Sequence, residues 1–125
     1  CSGHIDETVK LVQEQPELDS AITIAEVEIP PFWMFRRQNH LLRPFVDDGV
    51  NYSLRRRQEL EQLYRQNGAV YVTRRSLLRN QRILFSAYGG GSTGYLVMDQ
   101  IRSLDIDTKA DFLAIESVLK SQATE

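Results

Sequence analysis

Two consecutive prolines, Pro30 and Pro31, constrain this chain more than any other feature of its sequence. Neither has an amide hydrogen to give, so a helix cannot run through them and a central strand cannot pair across them. Before them the sequence reads as a helix and then a strand. Ser2 suits a helix cap, Asp6 and Glu7 suit the positive end of the helix dipole, and Ile5, Val9, Leu11 and Val12 make an apolar stripe that Pro16 brings to an end. After a turn over 17–19, the run AITIAEVEI alternates apolar with small or polar residues and is rich in β-branched side chains, the pattern of a strand.

After the prolines comes PPFWMFRRQNHLLRPFVDDGVNYSLRRRQELEQLY, an excursion that carries Phe32, Trp33, Phe35, Phe45 and Tyr52. An exposed loop does not tolerate that aromatic density unless some surface covers it. Composition leaves two covers open: the arm folds back on its own core, or it is a protein–protein arm, where aromatic and Arg residues concentrate. The helix and strand alternation then resumes. GAVYV opens at Asn67-Gly68 as a short strand, Arg75 to Asn80 allows one or two helical turns, RILFSAY reads as a strand, and TGYLVM as another. A last helix begins at Thr108, with Asp111 in the reciprocal capping position and Phe112, Ile115 and Leu119 on one face.

Size and charge narrow the classes. The 125 residues, 42% hydrophobic and 26% charged with a net charge of −2, fit one folded domain and exclude both disorder and a second full domain. One cysteine excludes an intramolecular disulfide, and with two histidines the chain lacks the residues of a four-ligand structural zinc site. No apolar run reaches membrane-spanning length and the first residues lack a signal-type pattern, so a cytoplasmic location and no membrane partner are expected. Near-neutral charge argues against general nucleic-acid binding, although the cations are lopsided, with twelve Arg against three Lys. The Gly89-Gly90-Gly91-Ser92 run is a flexible loop without the Lys-Ser or Lys-Thr of a phosphate-gripping loop.

Two constellations bear on chemistry. In SLDIDT, Asp105 and Asp107 stand two apart, which puts both carboxylates on one face of an extended chain and makes a hard-cation site of the kind Mg²⁺ uses with phosphates and water. Ahead of a helix, the same D-x-D serves equally as cap and turn chemistry. The adjacent Arg55, Arg56 and Arg57 either gather around an anion or form a solvated run balanced by Glu59 and Glu61. His4, His40 and Cys1 have no nucleophile, base or activator arranged beside them, and no catalytic residue is assigned.

Taken in order, RQELEQLYRQNGAVYV and, about thirty residues later, RSLDIDTKADFLAIE resemble the C-terminal part of the acylneuraminate cytidylyltransferase family, the CMP-sialic acid synthetases and their relatives. HIDETVKLV resembles the family helix after its LQPTSPLR-type segment, and DSAITIAEVEIPPFW resembles the next strand and the approach to the dimerisation arm. The resemblance implies an α/β fold: a partial doubly wound sheet of the nucleotide-diphospho-sugar transferase type over 1–29 and 62–125, with a β-rich dimerisation arm over 30–61, inside a single domain of 1–125. It implies that Arg57 and Tyr71 bind an acidic sugar. In the aromatic pair that joins them this sequence reads Leu84-Phe85, leaving Phe85 as the ring. It implies that Asp105 and Asp107 bind divalent metal, Mg²⁺, and that two copies pair through the arm. The family activity is transfer of CMP from CTP to an acidic nine-carbon sugar, and the family's CTP-binding half has no counterpart here. The chain is therefore expected to be a truncated cytidylyltransferase-like protein, its sugar, metal and dimer half, inactive alone. The alternative is a non-catalytic oligomerising interaction or sugar-binding module.

Overall fold

A computed structural model describes residues 2–122 as a mixed α/β chain with three helices and two small sheets. The elements are α1 (Ser2–Glu14), β1 (Ser20–Glu26), β2 (Phe35–Gln38), β3 (Leu41–Pro44), β4 (Tyr64–Thr73), α2 (Arg75–Gln81), β5 (Thr93–Val97) and α3 (Lys109–Gln122), with short 3₁₀ turns between them. They fall into two compact units, one from Cys1–Ala25 with Gln66–Glu125 and one from Glu26–Arg65.

In the first unit β1 is the central strand of the order β4-β1-β5. It runs parallel to β5, with Ser20 opposite Thr93 and Ile24 opposite Val97. Toward β4 the sense reverses: the Arg74 amide donates to the Asp19 carbonyl at 2.9 Å, while the Val70 amide donates to Thr23 Oγ1 at 3.0 Å, so position falls on one strand as it rises on the other. A mixed sheet results. Its centre is small, formed by Ala21, Ile22 and Ala25 of β1 with Val12, Leu77 and Met98. α1 packs on β5 at Gly94, where an added Cβ would meet Leu18 Cδ1 at 2.6 Å and Leu11 Cδ2 at 3.1 Å, so the helix approaches only because that residue has no side chain. Arg74 fastens the end of α1: its Nε donates to the Leu18 carbonyl at 2.6 Å and its Nη2 to the Val12 carbonyl at 2.8 Å. Of the two, the Val12 carbonyl is one that the helix itself leaves open, where a cation is favourable both as a hydrogen-bond donor and against the helix dipole, and Leu18 lies in the turn beyond the helix.

Two local expectations need correcting. Ser2 is the first residue of α1 and not the residue before it, so Asp6 and Glu7 lie past the first turn; Cys1 lies outside the described residues. RILFSAY is not a strand. Arg82 adopts a left-handed φ of 56° where α2 stops, and Ala87–Gly89 is a 3₁₀ turn. The segment satisfies its backbone through side chains: the Leu84 carbonyl accepts from the Thr73 hydroxyl, and the Ser86 amide donates to Thr93 Oγ1 at 3.1 Å. With those partners the backbone groups need no ladder.

The second unit holds the segment expected as an arm. Pro31 opens a 3₁₀ turn, and β2 and β3 form an antiparallel hairpin with Phe35 opposite Pro44 and Gln38 opposite Leu41. Asn39 and His40 close it with φ of 47° and 67°, the paired left-handed conformation of a two-residue hairpin turn. Phe32, Trp33 and Tyr52 pack on one another, the Phe32 and Tyr52 rings 4.7 Å apart and Trp33 Nε1 donating to the Tyr52 carbonyl at 3.2 Å. Phe35 and Phe45 stay exposed. Among the described residues, no helix is long and apolar enough to cross a membrane.

Candidate functional site

The site builds outward from Asn67. The Asn67-Gly68 pair lies within β4, where Gly68 takes a φ of 75° that the amide side chain of Asn67 accommodates by accepting from the Ala69 amide at 3.2 Å. Asn67 itself is buried, and beside that local bond its side chain holds three tertiary partners. Its Oδ1 accepts from Thr23 Oγ1 at 2.6 Å, and its Nδ2 donates to Ser103 Oγ at 2.9 Å and to Met98 Sδ at 3.3 Å. One side chain thus fixes β4 to β1 and to the turn Ile101–Ser103, two residues before Asp105. A satisfied buried amide of this kind is rigid, because breaking it leaves several polar groups unpaired at once.

Four residues along β4, Tyr71 presents a ring 36% exposed. Phe85 stacks on it with centroids 5.9 Å apart and planes inclined by 22°. Tyr88 continues the row at 5.6 Å from Phe85 and is 89% exposed. Tyr71 and Phe85, both implied by the resemblance, therefore meet, and a third ring joins them. Tyr88 was not singled out in the sequence. The signal for it is its place three residues after Phe85, which becomes informative only once the segment is known to turn and not to extend.

Asp105 and Asp107 lie in the loop between the Ile101–Ser103 turn and α3, both exposed. Asp105 Oδ1 accepts from the Ile106 amide at 2.8 Å. The Asp107 amide donates to Asp111 Oδ2 at 3.3 Å, beside the reciprocal cap in which Thr108 N donates to Asp111 Oδ2 at 2.8 Å and Asp111 N to Thr108 Oγ1 at 3.3 Å. The Thr108 hydroxyl and amide hold the Asp111 carboxyl below its ordinary pKa. Turn chemistry at Asp105 and metal chemistry compete for one carboxylate oxygen only. Among the described residues no three His, Cys, Asp or Glu gather as a metal cluster. Asp105 and Asp107 keep exposed carboxylate oxygens, the donor type that Mg²⁺ takes together with substrate phosphates and water.

Arg57 belongs to the second unit. It starts a 3₁₀ turn, and its Nη2 donates to the Val27 carbonyl at 2.9 Å and lies 3.5 Å from Glu26 Oε1. Its neighbour Arg55 pairs with Glu59 at 3.9 Å. The carboxylate beside Arg57 is therefore Glu26, far away in sequence, and not the downstream Glu59. Around Arg57 opens a cavity of about 420 Å³ with Glu26, Pro30, Leu60, Glu61 and Leu63 in its wall. The backbone bond orients the guanidinium while half of its side chain remains open to solvent. A planar fork held in this way suits a carboxylate.

No protein-family model and no curated protein matches this chain.

Proposed function

We propose that this chain is the sugar-, metal- and dimer-bearing part of a cytidylyltransferase acting on acidic nine-carbon sugars of the sialic acid type, on a partial doubly wound sheet. The stacked rings of Tyr71 and Phe85 carry this reading. The family resemblance implies both positions as sugar contacts, and their ring centroids are 5.9 Å apart. A flat aromatic face with a few convergent polar groups is the usual make-up of a small-molecule site. The resemblance also implies Arg57, in the second unit, as a sugar contact, and its guanidinium fork suits a carboxylate. Asp105 and Asp107 would hold Mg²⁺, which supplies charge neutralisation to a triphosphate under attack by a hydroxyl. The exposed apolar residues of the β2–β3 hairpin support pairing of two copies through the arm.

The test is calorimetric titration of the full chain with free sialic acid. Binding is expected, and Tyr71→Ala and Arg57→Ala are each expected to weaken it more than roughly tenfold, the loss of one well-placed contact. Failure of the unaltered chain to bind any acidic nine-carbon sugar overturns the reading. A second reading, a sugar-binding or oligomerising module without catalysis, is favoured by one observation: Asp105 already spends an oxygen on its own loop. Mg²⁺-dependent binding of CTP to the chain would exclude that second reading.

A further inference from the structure

The glycine run ahead of β5 folds over a serine that sits inside the aromatic row. Ser86 lies between Phe85 and Tyr88 in the chain and is only 4% exposed. Its amide donates to Thr93 Oγ1 at 3.1 Å and reaches Ser20 Oγ at 3.4 Å, while Ser20 Oγ and Thr93 Oγ1 share a bond of 3.0 Å. Its hydroxyl is 3.3 Å from Thr93 Oγ1 and 3.5 Å from Asp19 Oδ2. Its carbonyl accepts from the Gly89 amide at 2.9 Å and the Gly91 amide at 3.0 Å. The far side of the loop is tied to the same place, because Ser92 N donates to Asp19 Oδ2 at 3.3 Å and Asp19 N to the Ser92 carbonyl at 2.9 Å.

The three glycines of this loop differ in what they need. Gly90 has a left-handed φ of 76°, and an added Cβ at Gly89 or Gly90 would meet nothing within 4 Å. Gly91 has no left-handed backbone, yet a Cβ there would fall on the Cβ and Oγ of Ser86, and 3.0 Å from Asp19 Oδ2. Gly91 is not held in the left-handed region, and what forbids a side chain there is first Ser86, with Asp19 Oδ2 the next and looser contact. Ser86 cannot give way cheaply, since its amide, hydroxyl and carbonyl are all engaged. Moving it moves Phe85, the next residue, whose ring lies against Tyr71.

We propose that Gly91 and Ser86 form a steric latch that positions the Phe85 ring against Tyr71. They are positioning residues, acting through Phe85. The latch stands on packing alone, and only its effect on sugar affinity rests on the function proposed above. Its logic is complementary volume: Ser86→Gly removes the atoms that Gly91→Ala would strike.

The experiment compares the full chain with Gly91→Ala, Ser86→Gly and the Ser86→Gly/Gly91→Ala double variant, by NMR and by titration with free sialic acid. Gly91→Ala is expected to shift the amide resonances of residues 84–88, to cut the Tyr71–Phe85 ring cross-peak at least about twofold and to weaken sialic acid roughly tenfold. The double variant is expected to restore both to within about twofold, the coupling that contacting residues show in a double-mutant cycle. If Gly91→Ala does not fold, recovery of the fold in the double variant is the same rescue read as stability. An unchanged ring cross-peak in Gly91→Ala, or a double variant no better than that single one, overturns the latch. If no variant, nor the unaltered chain, binds sialic acid, the sugar reading falls while the cross-peak still decides the latch.

Discussion

Along β1 the first four residues, Ser20 to Thr23, are all buried, whereas every residue of the β2–β3 ladder is exposed. The contrast does not follow hydrophobicity. β1 buries two hydroxyl residues, and the hairpin exposes Phe35, Leu41 and Leu42. The difference lies in what each offers its neighbours. β1 carries small side chains between two flanking strands, and its hydroxyls find partners in Asn67 and Thr93. β2 and β3 mix bulky apolar residues with Arg36, Arg37 and Arg43, and within their unit the hairpin strands pair only with each other. Burial is set by complementarity and polar satisfaction, and hydrophobicity without a partner surface leaves a residue in water.

Four expected outcomes sharpen or break this contrast. The largest is at Asn67. Asn67→Ala removes the partner of the buried Thr23 and Ser103 hydroxyls and is expected to lower stability to urea by about 2–3 kcal/mol; a loss below about 0.5 kcal/mol would show that the network is not what holds β1 in. Next is Arg74→Ala, which frees the carbonyls at the end of α1 and is expected to cost about 1.5–3 kcal/mol in the same measurement, since charged hydrogen bonds are lost. The third outcome is at the hairpin. Leu42→Ser is expected to change unfolding of the monomer by less than about 0.5 kcal/mol, as exposed substitutions do. It is expected to shift the sedimentation profile at micromolar concentration toward monomer. A chain that is already monomeric there removes the pairing proposed for the arm.

The smallest effects are pH-dependent, and they differ between the two units. In the second, Tyr52 Oη donates to Asp48 Oδ2 at 2.6 Å, which lowers the Asp48 pKa and raises that of Tyr52. A carboxyl with a lowered folded pKa contributes fully above its unfolded value and loses the contribution as pH falls through the folded one. A phenol with a raised folded pKa contributes below its unfolded value and loses the contribution as pH rises through the folded one. The Asp48–Tyr52 bond is therefore expected to weaken at both extremes. The Asp111 cap of α3, with a lowered carboxyl only, is expected to weaken in acid alone. Amide exchange at residues 50–54 and 108–112, in acid, at neutrality and in strong base, reads the two; a cap that also loosens in base would break the distinction.

Much of the first unit was legible because its signals are local. Thr108 and Asp111 are three apart and cap as the sequence spells, and the β1 and β5 patterns fall where their alternation puts them. Asn67-Gly68 was legible as a turn-forming pair but not as the hub of the site, since Thr23, Met98 and Ser103 are distant in sequence and nothing in the spacing names them. RILFSAY was misread because strand propensity describes side chains that pack, and Phe85 packs against Tyr71 from a turn. The meeting of those two rings came from family resemblance, while Tyr88 needed the fold. At Arg57 the three adjacent arginines were legible as a charge problem, and its solution, the Val27 carbonyl and Glu26, was not.

The parallel register of β1 and β5 has a consequence for folding order. Pairing Ser20 with Thr93 closes a loop of more than seventy residues, and the hairpin unit sits inside that loop. Closure entropy grows only logarithmically, by about 0.6 kcal/mol for each doubling of loop length, so the inserted unit can lengthen or shorten with little charge to the sheet's equilibrium. The rate is more exposed, because long-range parallel pairing is slow to form. β1 and β4 enclose a shorter span, so their pairing carries the smaller closure cost. The inserted unit is thus a region in which length is nearly neutral for the sheet's equilibrium and counts chiefly in its rate of formation.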